Sequence, residues 1–265
     1  MKKLIIANWK MTPDSAKEAA ELFNATEKAA KKARNAKVVI CPPFVYLGLF
    51  SKNLKPKSYK LKPDLGAQDV FWENNGSYTG GISAKMLKNS GVKYVIIGHS
   101  ERRRLGETDE MINKKIKAAL KNKLNVVFCV GERERDEEGR YFYFVKDEIT
   151  KGLEKIPSKF FKNLIVAYEP VWAISSGEKK GKARFHPDTP EDAYQMATYI
   201  KRLLVSMSGK VGRNVPILYG GSVDVKNAKD FLTKGNTDGL LVGRTSWNAK
   251  KFSELLKGID KIILK

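Results

Sequence analysis

Tyr94-Val95-Ile96-Ile97-Gly98 and Asn125-Val126-Val127-Phe128-Cys129-Val130 flank a longer amphipathic run over residues 107–122. The two short β-branched runs predict strands, and the run between them predicts a helix. Two strands joined through a helix lie parallel, because the crossover returns the chain to the end from which it started. The same unit recurs in both directions along the chain. Strands are predicted at Leu4–Trp9, Lys37–Pro42, Leu65–Asp69, Tyr94–Gly98, Asn125–Val130, Leu164–Tyr168, Pro216–Tyr219 and Gly239–Val242. Helices are predicted over 14–34, 44–53, 83–90, 107–122, 140–155, 190–207, 224–233 and 248–258. At the 190–207 helix Thr189 can cap, Pro190 suits the first helical position, and Glu191 and Asp192 favour the positive end of the dipole.

Eight strictly alternating βα units in 265 residues fit an α/β fold with a closed, eight-stranded parallel (β/α)8 barrel. An open doubly wound sheet fits less well, and the length suits one domain over residues 1–265. No GxGxxG follows the first strand. Gly177-Glu-Lys-Lys-Gly-Lys-Ala183 lacks the spacing and the Ser or Thr of a P-loop, so the pattern argues against nucleotide binding.

The chain carries 50 Lys and Arg against 29 Asp and Glu, a formal net charge of +21, with 42% apolar residues. Disorder is excluded, and anionic partners will be attracted, although charge alone does not choose among phosphorylated metabolites, nucleic acid and acidic lipid. Two basic stretches are free of acids, Lys28–Lys37 and Lys52–Lys62. Neither interleaves aromatic residues as a base-stacking platform requires, and a solvated helix face is the better reading of the first. No apolar run approaches the ~20 residues of a membrane span, and Met1-Lys2-Lys3 leads straight into a strand. No targeting signal or membrane partner is expected. Cys41 and Cys129 are too few for a disulfide framework, which points to the reducing cytoplasm.

Active sites of such barrels gather at the C-terminal ends of the strands. Those ends read Asn8-Trp9-Lys10, Gly98-His99-Ser100-Glu101-Arg102, Tyr168-Glu169-Pro170, Tyr219-Gly220-Gly221-Ser222 and Val242-Gly243-Arg244. One Lys, one His and one Glu converge there. A base for a carbon-bound proton, an electrophile for a carbonyl oxygen and a fixed cation for growing negative charge are what moving a carbonyl along a phosphorylated chain requires. Glu169, His99 and Lys10 can supply them. His186 lies in an Arg-Phe-His-Pro setting with no such context and reads as surface.

Together with Ala167-Tyr168-Glu169-Pro170-Val171-Trp172-Ala173-Ile174 and Asp238-Gly239-Leu240-Leu241-Val242-Gly243, these segments resemble the triosephosphate isomerase family along the whole chain. The resemblance implies a TIM barrel and an intramolecular aldose–ketose isomerase of glycolysis and gluconeogenesis. Such an enzyme interconverts dihydroxyacetone phosphate and D-glyceraldehyde 3-phosphate through an enediolate, without metal or organic cofactor. It implies Glu169 as base, His99 as a neutral electrophile and Lys10 as electrostatic stabiliser, with Asn8 and Glu101 orienting Lys10 and the substrate. Phosphate falls to backbone N–H groups around Ser222, Gly243 and Arg244 and to Ser175 in a mobile loop. It also implies a homodimer, to which the long apolar segment Phe71–Gly81 would reach out. The chain departs from the family pattern at Ser175 and Ser176, at Arg244 where a glycine is usual, and at Gly81 where a glutamate is usual. The stretch 178–188 is also longer. Two alternatives stand beside this reading: another phosphate-binding barrel isomerase, or a basic barrel that binds nucleic acid.

Overall fold

A computed structural model describes residues 2–51, 63–173 and 188–262. Eight parallel strands close on themselves in chain order, β1 beside β2 through to β8 beside β1. They are β1 (Lys3–Asn8), β2 (Ala36–Cys41), β3 (Asp64–Ala67), β4 (Tyr94–Ile97), β5 (Asn125–Val130), β6 (Leu164–Tyr168), β7 (Ile217–Tyr219) and β8 (Gly239–Val242). Closure is made by β1 against β8, with Leu4 opposite Gly239 and Ala7 opposite Val242. The helices are α1 (Ala16–Lys32), α2 (Phe44–Phe50), α3 (Ala84–Asn89), α4 (Ser100–Arg104), α5 (Asp109–Lys121), α6 (Arg140–Gly152), α7 (Pro190–Ser208), α8 (Lys210–Arg213), α9 (Ala228–Thr233) and α10 (Ala249–Asp260).

The expected elements are present, with ends displaced by a few residues. Two short helices were not expected. In α4, Ser-Glu-Arg-Arg-Arg has five residues and no apolar period to read. In α8, Lys-Val-Gly-Arg is a single turn. Residues 52–53 of the expected second helix lie outside the described residues. The start of α7 bears out its expected signals: Thr189 Oγ1 accepts from the Asp192 N–H, and Asp192 reaches back to the Thr189 N–H.

Alternation along each strand sorts the core into two shells. Ile6, Val39, Ile96, Val127, Cys129, Ile165, Ala167, Leu218 and Leu241 face one another inside the barrel. Their neighbours in sequence, such as Ile5, Ala7, Val126, Phe128, Val166 and Tyr168, pack outward against the helices. Both faces of each strand are therefore apolar, as expected for a parallel sheet covered all round. The alternation also fixes what comes next. Two residues beyond inward Ile6 stands Asn8, two beyond Ala167 stands Glu169, and two beyond Leu218 and Leu241 stand Gly220 and Gly243. The packed interior thus ends, at one mouth, in a layer of polar side chains and glycines.

Candidate active site

Strand β4 reaches the mouth differently. Gly98 has φ +75°, a conformation that disfavours any side chain, and this turn places His99 as the N-cap of α4. His99 Nδ1 accepts the backbone N–H of Glu101 at 3.2 Å. A ring nitrogen that accepts carries no proton, so the proton of the neutral imidazole sits on Nε2. Nε2 in turn lies 3.1 Å from Glu169 Oε1, and Glu169 Oε2 accepts the Ser100 N–H at 3.2 Å. Both side chains are buried. The Glu169 carboxylate is therefore held between a ring donor and the first turn of a short helix.

Lys10 approaches from β1. Its backbone has φ 51°, left-handed for a non-glycine residue, which costs roughly 1–3 kcal/mol and persists only where the surroundings impose it. Asn8 Oδ1 accepts the Lys10 N–H at 3.0 Å, and Gln68 Nε2 donates to the Lys10 carbonyl at 2.8 Å. The ammonium, with 17% of its side chain exposed, is 2.6 Å from Glu101 Oε1. Burial works to raise the Glu101 carboxyl, but the hydrogen bond and charge of Lys10, with the charge of Arg104, outweigh it and hold the pKa below its ordinary value. Lys10, Glu101, His99 and Glu169 thus form one connected chain of contacts across the mouth.

The loops after β7 and β8 complete the rim. Ser222 Oγ donates to the Ala173 carbonyl at 2.8 Å, joining the loop after β7 to the segment after β6. Gly243 borders the Lys10 stem, and Arg244, exposed, opens a 3₁₀ turn over Arg244–Trp247. Arg244 is not among the residues of positive φ, so a side chain replaces the usual glycine without backbone strain. Trp247 Nε1 donates to the Asn8 carbonyl at 3.2 Å, tying this turn to the end of β1, while Ser246 Oγ donates to the Gly243 carbonyl at 2.7 Å. Ser175, His186 and residues 178–187 lie outside the described residues.

Several contributors escaped the sequence reading. Glu132 Oε1 accepts from Tyr168 Oη at 2.8 Å and from Trp172 Nε1 at 2.9 Å. Arg135 lies 3.2 Å from that same oxygen and 2.5 Å from Asp192, with its guanidinium over the rings of Tyr141 and Trp172. Together they anchor Val171–Ala173 to the loop after β5 and to the start of α7. Behind Glu169, Glu148 Oε2 accepts the Gly131 N–H at 2.8 Å while Oε1 lies 3.3 Å from Arg103. Burial pushes the Glu148 pKa up to about 7, against the pull of Arg103 and the Gly131 N–H. Burial also raises the Cys129 thiol, with Glu169 adding to the effect, so it is held as a neutral packing group. Glu132 follows a strand end and was open to the rule that found Glu169; Arg135 and Glu148 carry no such signal.

Cavity size alone would point elsewhere. A space of about 640 Å³ opens beside Glu169, bordered by Glu101, Arg103, Gly131 and Glu148, whereas one of about 1400 Å³ lies at the opposite end of the barrel. The convergence of Lys10, His99 and Glu169 decides the matter.

The sequence profile described as "Triosephosphate isomerase" matches residues 3–259. Proteins of that name from Dictyoglomus turgidum, Dictyoglomus thermophilum and Aquifex aeolicus are 39%, 40% and 39% identical to this chain. Each alignment covers 97% of this chain and 99% of the relative.

Proposed function

Because the chain belongs to the triosephosphate isomerase family, we propose that it interconverts dihydroxyacetone phosphate and D-glyceraldehyde 3-phosphate, with Glu169, His99 and Lys10 dividing the chemistry. The observation that supports this division is the 3.1 Å contact between His99 Nε2 and Glu169 Oε1. The Nε2–H that steadies the carboxylate is also the donor a substrate carbonyl oxygen needs. When that oxygen takes the Nε2–H, Glu169 is released to remove the proton from the neighbouring carbon. Electrons then move onto the carbonyl oxygen, and the enediolate is stabilised by the Nε2–H and by the Lys10 ammonium. The proton of the neighbouring hydroxyl then passes to the former carbonyl oxygen by way of His99, which gives up its Nε2–H to one oxygen and takes the proton of the other. Return of the proton from Glu169 to the carbon that bore the carbonyl leaves the new carbonyl on its neighbour and completes the exchange.

On this reading Asn8 and Glu101 set the position of Lys10, one through its backbone and the other through its ammonium. Phosphate is bound by N–H groups of Gly221–Ser222 and Gly243–Arg244, the Gly220 N–H being taken by the Tyr168 carbonyl at 2.7 Å, and is supported by the 3₁₀ turn that opens at Arg244 and leaves its first N–H groups without partners inside the turn. Ser175 adds a further amide. The active form is a homodimer, and two buried free thiols, Cys41 and Cys129, suit a cytoplasmic protein. Among the described residues no helix is long and apolar enough to cross a membrane.

A coupled assay of triose phosphate conversion tests the activity, and Glu169→Gln tests the mechanism. Turnover should fall by roughly 10²- to 10⁴-fold with the circular dichroism spectrum unchanged. An activity within threefold of the parent would remove Glu169 from the reaction.

A further inference from the structure

A charge of +21 exceeds what a triose phosphate site uses, and the fold shows where part of it collects. Helices of such a barrel run antiparallel to its strands, so helix C-termini and the connections leaving them gather at the end remote from the active site. Each of these connections that is described in full brings at least one cation there: Arg34, Lys93, Lys123, Lys162, Arg213 and Lys234. Their carboxylates are Glu154 and Asp238. At the centre lies the cavity of about 1400 Å³, whose wall includes residues at or next to the start of all eight strands. Lys2, Lys3, Lys37, Lys162, Lys201 and Arg213 line it against Asp64 and Asp238.

The carboxylates are already engaged. Asp64 lies 2.6 Å from Lys93 and 3.7 Å from Lys37, and Asp238 Oδ2 accepts the Ile217 N–H at 2.8 Å. Lys3 donates to the Thr237 carbonyl at 2.7 Å, and Lys201 to the carbonyls of Arg213 and Val215. Burial lowers the pKa of both lysines, with Asp238 opposing, and Lys201 lies 3.8 Å from Asp238, so two ammonium groups share one carboxylate. Complementing helix dipoles accounts for Lys31, Lys32, Lys121 and Lys151 in last helical turns. It does not account for Lys37, which shares the inward alternation of Val39 and Cys41, or for Lys3 on β1.

We propose that this end of the barrel is a binding site for a compact chain of phosphate groups, the chemistry shared by inorganic tripolyphosphate and a nucleoside triphosphate. A concave space ringed by cations on several elements suits a short polyanion whose charges are close together. A nucleic-acid duplex is favoured instead by an extended basic strip, and stacking on single strands by exposed aromatic faces. Here Tyr94 points inward and carries the Lys37 ammonium 5.3 Å from its ring centre. The site is independent of the isomerase reading and lies at the other mouth.

The test is calorimetric titration with inorganic tripolyphosphate at low ionic strength, with inorganic phosphate present to occupy the active site. The parent should bind one tripolyphosphate per chain, more weakly as salt is added. Lys37→Glu, Lys162→Glu and Arg213→Glu together should weaken binding about tenfold or more while kcat and KM for isomerisation stay parental. Lys17→Glu, Lys146→Glu and Lys250→Glu, exposed positions elsewhere on the helices, make the same change in net charge and should leave binding intact. If the first set misfolds, the three corresponding Gln substitutions carry the same comparison. A nucleoside triphosphate that binds more tightly than tripolyphosphate, with the same dependence on the three cations, would identify a nucleotide as the source. No binding by the parent, equal weakening in both charge-reversed sets, or binding untouched by the first set would overturn the proposal. So would a DNA duplex that binds where tripolyphosphate does not.

Discussion

Glu148 shows how a single buried group writes itself into the behaviour of the protein. Its folded-state pKa of about 7 stands above the ordinary 4.5, because burial disfavours the charged form more than Arg103 and the Gly131 N–H favour it. Between those two values the native protein holds a proton that the unfolded chain has lost. Stability therefore falls as pH rises from 5 towards 8, by up to about 3 kcal/mol from this group. Asp188, pushed up to about 7 by burial, adds a slope of the same sign. Denaturant unfolding across this range should be visibly flatter for Glu148→Gln than for the parent; an unchanged slope would mean that the carboxyl is ionised throughout. Lys10→Met is expected to lower kcat strongly, since the ammonium acts on charge that grows in the transition state, and a change confined to KM would contradict that role. Lys10 and Glu169 could be read from sequence because each carries a chemically distinctive group at a strand end. Glu148 could not: it sits beside apolar Val145 and Ile149 within α6, and nothing in that spacing tells that the N–H of Gly131 reaches it.

Among the elements, α7 begins with a reciprocal cap whose Asp192 also binds Arg135, so one carboxylate serves the helix end and the anchor beneath Trp172. Thr189→Ala should cost about 1 kcal/mol, a fall in Tm of roughly 2–4 °C. Differential scanning calorimetry would show it, and an unaltered Tm would mean that the cap is compensated by solvent. The eight strands and the longer helices were legible because apolar period and length agree over many residues. Short α4 was not, although it presents the N–H groups that receive His99 and Glu169. Five residues hold too little periodicity to be seen, and their conformation is imposed by the left-handed turn at Gly98 and by the ion pairs of Arg103 with Asp109 and Glu148.

At the scale of the molecule, large apolar side chains are exposed all round the ring: Met11, Val45, Leu49, Tyr78, Met86 and Leu105 on the first four βα units, and Tyr143, Phe144, Tyr194, Met207, Val225 and Trp247 on the other four. Phe71–Gly81 lies among them, with the rings of Phe71, Trp72 and Tyr78 packed together. Gly81 leaves little space for the usual glutamate in this conformation: a Cβ there would lie 3.0 Å from the Tyr78 carbonyl, which would have to give by a few tenths of an ångström. Arg102 is paired within its own chain, to Asp69 and Glu107. Sedimentation equilibrium should find two chains per particle, and Tyr78→Asp should shift the population towards single chains. A parent that sediments as one chain with full activity would end the dimer reading. The pairing of β1 with β8 reaches beyond the finished structure, to the chain still being made. Leu4 must wait for Gly239, some 235 residues later, which at about 5–20 residues per second is an interval of about 10–50 s. Throughout it β1 offers one unpaired edge of backbone donors and acceptors to whatever surrounds the ribosome, and the half-made ring is most open to capture by chaperones or by other nascent chains.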